Sequence, residues 1–188
     1  HTLWHDASWL IPGQRVASVD AATQWAAMTR RWGTPAPGPV DLLLPAAPDV
    51  LRSVPYYDLH EVGLERKRAT ALQQAARYIP RFQGDVTLPV DQFRRKIELV
   101  PGLGPWMSTN LATMTAGHPD VVVLGDYGLP SFVTWALAGE RVGTDERMLE
   151  LLEPYRPHRW RVCRLIMSSG LRPPRHGPRR ANPRIEYM

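Results

Sequence analysis

Two short stretches of this sequence combine residue types that chemistry can use. In the first, Val100-Pro101-Gly102-Leu103-Gly104, two glycines stand two apart after a proline, with Trp106 just beyond. That spacing allows a tight turn whose backbone can approach another surface closely. If a helix opens after it, the first N–H groups are unpaired and, with the helix dipole, form a site for an anion such as a DNA phosphate. An ordinary helical hairpin with a glycine turn is the competing reading of the same pentapeptide. The second stretch is Leu124-Gly125-Asp126-Tyr127, whose Asp126 follows Trp106 by twenty residues and stands at the entrance of a helix. A carboxylate there is a common N-cap, and a cap can also face a ligand.

Elements must hold these residues in place, and helical signals dominate. Residues 90–99 read as a helix with Phe93, Ile97 and Val100 inward and Arg94, Arg95 and Lys96 outward. Residues 105–116 read as the next helix, with Pro105 suited to a first-turn position. A short extended run over 121–124 precedes a helix over 127–137, ended by Gly139. Upstream, Ser18 and Asp20 start a helix that carries Trp25, Met28 and Trp32 at helical spacing and stops at Gly33. Residues 34–48 hold five prolines and are predicted irregular. Residues 64–82 read as one longer helix, with Arg66, Lys67 and Arg68 on a solvated face near its start. Thr144 and Asp145 start another helix, and Pro154 and Pro157 separate it from a last one over 160–169. Arg159, Arg161 and Arg164 share a solvated face of that last helix. The tail, 172–184, is basic and proline-rich and is predicted mobile. The fold class is all-α.

Composition narrows the chemistry. The chain has 188 residues, enough for one domain or two small lobes. Its 23 Lys plus Arg exceed 18 Asp plus Glu, and only Lys67 and Lys96 are lysines. The arginine bias fits a GC-rich genome, and the basic balance places acidic polymers among the partners to consider. The single Cys163 excludes a disulfide framework, a cysteine zinc site and a four-cysteine iron–sulfur cluster. No apolar run reaches the roughly 18 residues of a membrane span, so a reducing, cytoplasmic (bacterial) setting is expected. His5, His60, His118, His158 and His176 show no ligand spacing and read as structural or exposed. The chain starts at His1, which suggests a longer natural protein.

A helix, Pro-Gly-Leu-Gly, a second helix, an apolar extended run and then Asp126 form an ordered series that resembles the helix-hairpin-helix-GPD superfamily of DNA glycosylases. The stretch from Ile11 to Ser18, with Gln14, is similar to that family's early segment facing the DNA minor groove. Residues 56–68 are similar to the segment before the hairpin. The resemblance covers residues 4–170 and implies a two-lobed helical fold: a first lobe over 1–118 with the helix-hairpin-helix at about 90–116, a second over 119–171, and the tail from 172.

What the resemblance implies can be carried over position by position. Asp126 would be the catalytic carboxylate. Bifunctional members carry a lysine where this chain has Trp106, so no β-lyase chemistry is expected, and the iron–sulfur branch lacks its cysteines here. An aromatic at that position is similar to the 3-methyladenine glycosylase II branch, where it stacks on the flipped base. The implied activity is monofunctional excision of alkylated purines such as 3-methyladenine and 7-methylguanine from double-stranded DNA. A glycosylase for a deaminated or oxidised base and a non-catalytic DNA-binding module are the alternatives. Trp106, Asn110, Tyr127 and Met167 fall at base-binding positions. Asn110 and Met167 depart from the branch's aromatics, and Tyr127 or Trp135 would compensate. Gln14, Arg15, Gly102, Leu103, Gly104 and Trp106 would contact DNA, with Arg15 as wedge or phosphate contact, and Pro12 should disturb the helix before this loop. Main-chain carbonyls of Glu98, Val100 and Leu103 would hold a monovalent cation, with no other cofactor. A monomer acting on DNA, away from membranes, is the implied state.

Overall fold

A computed structural model describes residues 2–174. Ten α-helices occupy most of the described residues, and the only strands among them are two pairs of residues. The all-α expectation holds.

The first helix, α1 (Leu3–Leu10), is implied before the Pro12 loop by the resemblance alone and not by a helical pattern. Its cap is local, the Thr2 hydroxyl accepting the His5 N–H at 3.1 Å, while Leu3, Ala7 and Leu10 turn a buried face inward. A 3-10 turn over Ile11–Gly13 follows, so Pro12 sits where a missing N–H costs no α-helical bond. Then α2 (Ser18–Trp32) runs to Gly33, as its pattern predicts. The proline-rich stretch is not wholly irregular. Thr34–Pro35 pairs antiparallel with Leu43–Leu44, and α3 (Pro48–Leu51) and α4 (Tyr56–Glu61) come next.

The single helix predicted over 64–82 is shorter. Here α5 (Arg66–Tyr78) gives way to a 3-10 run, Ile79–Thr87, because Pro80 lacks the N–H and its ring opposes the carbonyl four residues back. The hairpin helices follow as α6 (Val90–Glu98) and α7 (Pro105–Met114). The remaining helices are α8 (Leu129–Ala138), α9 (Asp145–Leu152) and α10 (Arg159–Ser168). Two sequence signals act as read: Gly139 ends α8 in the left-handed region, and the Thr144 hydroxyl caps α9 through the Arg147 N–H.

Two hydrophobic clusters form. The larger draws on α1, α5, α6 and α7, with Leu72, Phe93, Ile97, Leu103 and Leu111 fully enclosed. The smaller gathers Val122, Val123, Leu129, Val133, Met148, Leu152, Trp160, Cys163 and Ile166. Burial pushes the Cys163 thiol up to about 12, so it packs as an inert small hydrophobe. Trp106 packs against both clusters.

Two predicted solvated faces are partly wrong. Arg68 is buried, donating to Pro12 O at 2.8 Å, Gln24 Oε1 at 2.6 Å and Gly63 O at 3.2 Å. Burial lowers the pKa of its guanidinium, which the nearby Glu65 carboxylate partly offsets. Arg159 is also largely enclosed, its guanidinium bonded to both Asp120 oxygens at 3.0 and 2.8 Å, and the Asp120 carboxylate also accepts the Arg159 N–H. Arg161 and Arg164 remain exposed. In both corrections a long side chain reaches a segment more than 35 residues away, which no local window contains. The predicted tail beyond residue 174, His176 included, lies outside the described residues.

Candidate active site

The hairpin turn is pressed against α5. Gly102 has φ +88°, and a Cβ built there would lie 2.6 Å from Ala71 Cβ, so both conformation and space demand glycine. Leu103 is fully buried beneath the turn and donates its N–H to Val100 O at 3.0 Å. Gly104 opens α7 in extended conformation with open space around it. Pro105 has no N–H to satisfy, and the Trp106 and Met107 amides find no acceptor among the described residues. Unpaired first-turn amides beside an exposed Gly104 provide an anion-accepting surface.

The early loop is fastened to this turn. Gln14 Nε2 donates to Gly102 O at 3.1 Å, and the Arg68 guanidinium holds the other flank of the loop at Pro12 O. Between these anchors Arg15 is exposed and takes φ +59°, a left-handed conformation that costs a non-glycine residue energy. The amide of Gln14 is thus engaged within the protein, and Arg15 is the side chain this loop projects.

Asp126 ends the run that follows α7. Its Oδ1 accepts the N–H groups of Gly128 and Leu129, both at 2.9 Å, so it caps α8. The helix starts at Leu129, two residues later than its pattern predicts, with Gly128 at its N-cap position. The second oxygen, Oδ2, accepts the Trp106 indole N–H at 3.1 Å. Three donors therefore hold the carboxylate in one orientation. Asp126 and Leu129 also line a hollow that opens to solvent. Its walls are Asn110 from α7, Val123 and Asp126, Leu129 and Phe132 from α8, and Trp160 and Met167 from α10. Arg172 lies at Phe132, its guanidinium 4.7 Å from the ring centre and its Nη2 donating to Met167 O at 3.2 Å.

The residues singled out in the sequence divide into three groups. Asp126, Asn110 and Met167 meet in the hollow, with Trp106 bonded to its carboxylate. Gln14, Arg15, Gly102, Leu103 and Gly104 belong to the turn and the loop fastened to it, Leu103 as a buried anchor. Tyr127 does neither: it lies in the turn before α8 with its ring wholly in solvent. Trp135 is not among the lining residues. Phe132 and Trp160 supply the aromatic walls and escape sequence reading. The one available signal for Phe132 was its place three residues after Leu129, on the same face of the helix that Asp126 opens. Trp160 carried none.

The carbonyls named for a cation suit one. Among the described residues those of Glu98 and Leu103 accept no backbone N–H, and that of Val100 accepts one. Neutral carbonyl oxygens are the donor set a monovalent cation takes. No group of three His, Cys, Asp or Glu placed to hold a metal occurs among the described residues, and no helix there is long and apolar enough to cross a membrane.

The fold, a helix-hairpin-helix followed by a run that leads to Asp126 and a second group of helices, is shared with solved DNA glycosylases. A 3-methyladenine DNA glycosylase from Archaeoglobus fulgidus has this fold (TM-score 0.77, 16% identity), and the match covers 88% of this chain and 57% of that one. A 3-methyladenine DNA glycosylase from Schizosaccharomyces pombe, in complex with abasic DNA, is similar at TM-score 0.74 and 12% identity, over 89% and 80%. An Ogg1 bound to a low-affinity DNA ligand matches at TM-score 0.67 and 12% identity, over 87% and 58%. No protein-family model and no curated relative matches the sequence.

Proposed function

We propose that the chain is a DNA glycosylase of base excision repair, acting by hydrolysis alone on alkylated purines of the 3-methyladenine and 7-methylguanine type in double-stranded DNA. The observation that carries this reading is a carboxylate, Asp126, locked by three N–H donors on the wall of an aromatic-lined hollow. Alkylation at N3 or N7 makes the purine cationic and already a good leaving group. Aromatic faces such as Phe132 and Trp160 attract such a base by stacking and by about 0.5–2 kcal/mol of cation–π interaction.

The base first leaves the stack at a cost of a few kcal/mol. Arg15, held out by the anchored loop, fills the gap or holds a flanking phosphate, while the hairpin amides take another phosphate. Beside C1′, Asp126 stabilises the oxocarbenium character that grows as the C1′–N bond breaks. The base leaves with the bonding electron pair, a water oxygen bonds to C1′, and the proton it releases passes to the carboxylate. The chain offers no amine where a lyase needs one, since Trp106 occupies that position. In this reading residues 1–118 and 119–171 are two lobes around the cleft. The carbonyls of Glu98, Val100 and Leu103 hold a monovalent cation that stiffens the hairpin, and the protein works as a monomer.

The test is release of 3-methyladenine and 7-methylguanine from methylated duplex DNA by the parent and by Asp126→Asn. Asparagine caps a helix as well as aspartate does, so the variant keeps its fold while losing the charge. Release by the parent, lost by at least a hundredfold in the variant, is the expected result. Release from uracil or hypoxanthine duplex alone would transfer the reading to another lesion. DNA binding by both with no release from any of these would reduce the protein to a binding module.

A further inference from the structure

Besides Asp126 and the Trp160 indole, the hollow has one polar wall, the amide of Asn110. Asn110 is 9% exposed, lines the cavity and donates its Nδ2 to Trp106 O at 2.8 Å. A carbonyl oxygen requires a donor, so this contact fixes which way the amide is turned. The Asn110 Oδ1 receives no hydrogen bond among the described residues, yet it is not among the buried atoms left without a partner. It is therefore an acceptor that is not sealed off, on a residue that lines the hollow. The neighbouring Val123, Leu129, Phe132 and Met167 side chains have no N–H or O–H to offer it, and the Trp160 indole, the one other donor on the wall, makes no hydrogen bond to it. An unpaired acceptor in such surroundings is costly unless the occupant supplies the donor.

We infer that Asn110 selects, through Oδ1, a flipped base that presents an N–H donor, such as an exocyclic amine, on the edge entering the hollow. The inference rests on the glycosylase reading and specifies the substrate class. Bases whose donor edge has been converted to an acceptor, as in a 1,N6-etheno adduct, are disfavoured. The mechanism is the familiar asymmetry of polar recognition: an analogue lacking the donor leaves the site's own acceptor unpaired.

The probe is a pair of duplexes carrying 3-deaza-3-methyladenine, whose glycosidic bond resists hydrolysis, with and without its 6-amino group. Dissociation constants are measured by fluorescence polarisation for the parent, Asn110→Ala and Asn110→Leu. Deleting the amine also loosens the base pair, but that bias is common to all proteins and cancels when parent and variant ratios are compared. The expected result is a preference of the parent for the amino duplex that shrinks on the order of 10- to 100-fold in both variants. A ratio unchanged within twofold, while all proteins still prefer lesion to undamaged DNA, overturns the inference and leaves the glycosylase reading standing. A parent that binds neither lesion duplex better than undamaged DNA overturns both. Because each comparison is a ratio within one preparation, a fraction of misfolded variant does not alter it.

Discussion

Replacing Trp106 by phenylalanine separates two roles that the indole can play. The ring packs between the two hydrophobic clusters, and its N–H donates to Asp126 Oδ2 at 3.1 Å. Phenylalanine keeps an aromatic face and removes only that donor and part of the ring volume. The Asp126 cap survives, since Oδ1 keeps the Gly128 and Leu129 amides, so the fold is retained. What changes is the second carboxylate oxygen, freed to rotate away from the place that the proposed reaction gives it beside C1′. A hydrogen bond to a charged group contributes about 1.5–3 kcal/mol. At about 1.4 kcal/mol per decade, losing that contribution in the transition state lowers the single-turnover excision rate by roughly 10- to 100-fold. Affinity for lesion duplex should stay within about threefold, because backbone amides and Arg15 carry the phosphate contacts. Single-turnover excision at saturating enzyme gives the rate, and polarisation gives the affinity. If Trp106→Phe excises at the parent's rate, or loses rate and affinity together, the positioning role is refuted. In the first case a stacking role accounts for the residue.

Two further outcomes concern stability. Arg68→Met strands the carbonyls of Pro12 and Gly63 and the Gln24 amide, so about 3 kcal/mol of stability is lost. That is a drop in melting temperature of about 6–12 °C for a chain of this size, read by calorimetry, and a change under 2 °C would contradict the anchoring role. The Arg159 hydrogen bonds hold the Asp120 carboxyl below its usual range, assisted by the charges of Arg159 and Arg156. A depressed folded pKa gives stability that is fully present above the ordinary value near 4 and is lost as pH falls from there through the lower folded value. Melting temperature should therefore fall between about pH 5 and pH 3 more steeply in the parent than in Asp120→Asn, and parallel curves would count against the pair.

Some features of the site were legible because their causes span only a few residues. Gly102 and Gly104 announce a tight turn, Pro105 a helix start, Asp126 and Thr144 caps, and Gly139 a stop. Each is a backbone preference or a hydrogen bond between near neighbours, and a short window contains both partners. The local signals failed where two of them competed. Pro80 cut a periodic helix, and α8 starts only at Leu129, past Tyr127, whose ring lies in solvent.

Other features exist only once the chain is packed. Trp106 meets Asp126 across twenty residues, Gln14 meets Gly102 across 88, and Arg68 is buried because Pro12 and Gln24 come to it. Phe132 and Trp160 face the hollow because α8 and α10 bring the smaller cluster up to the end of α7, and nothing in their own neighbourhoods sets that angle. The sequence by itself determined which side chains stand at turns and helix ends, because backbone geometry is a local property. Only the tertiary structure decided which of them share a site, because side-chain direction and burial depend on what packs against each helix face. The open acceptor of Asn110 belongs to that second kind: an asparagine on a helix is unremarkable in sequence, and becomes a selector only where the packed hollow leaves its Oδ1 without a donor from the protein.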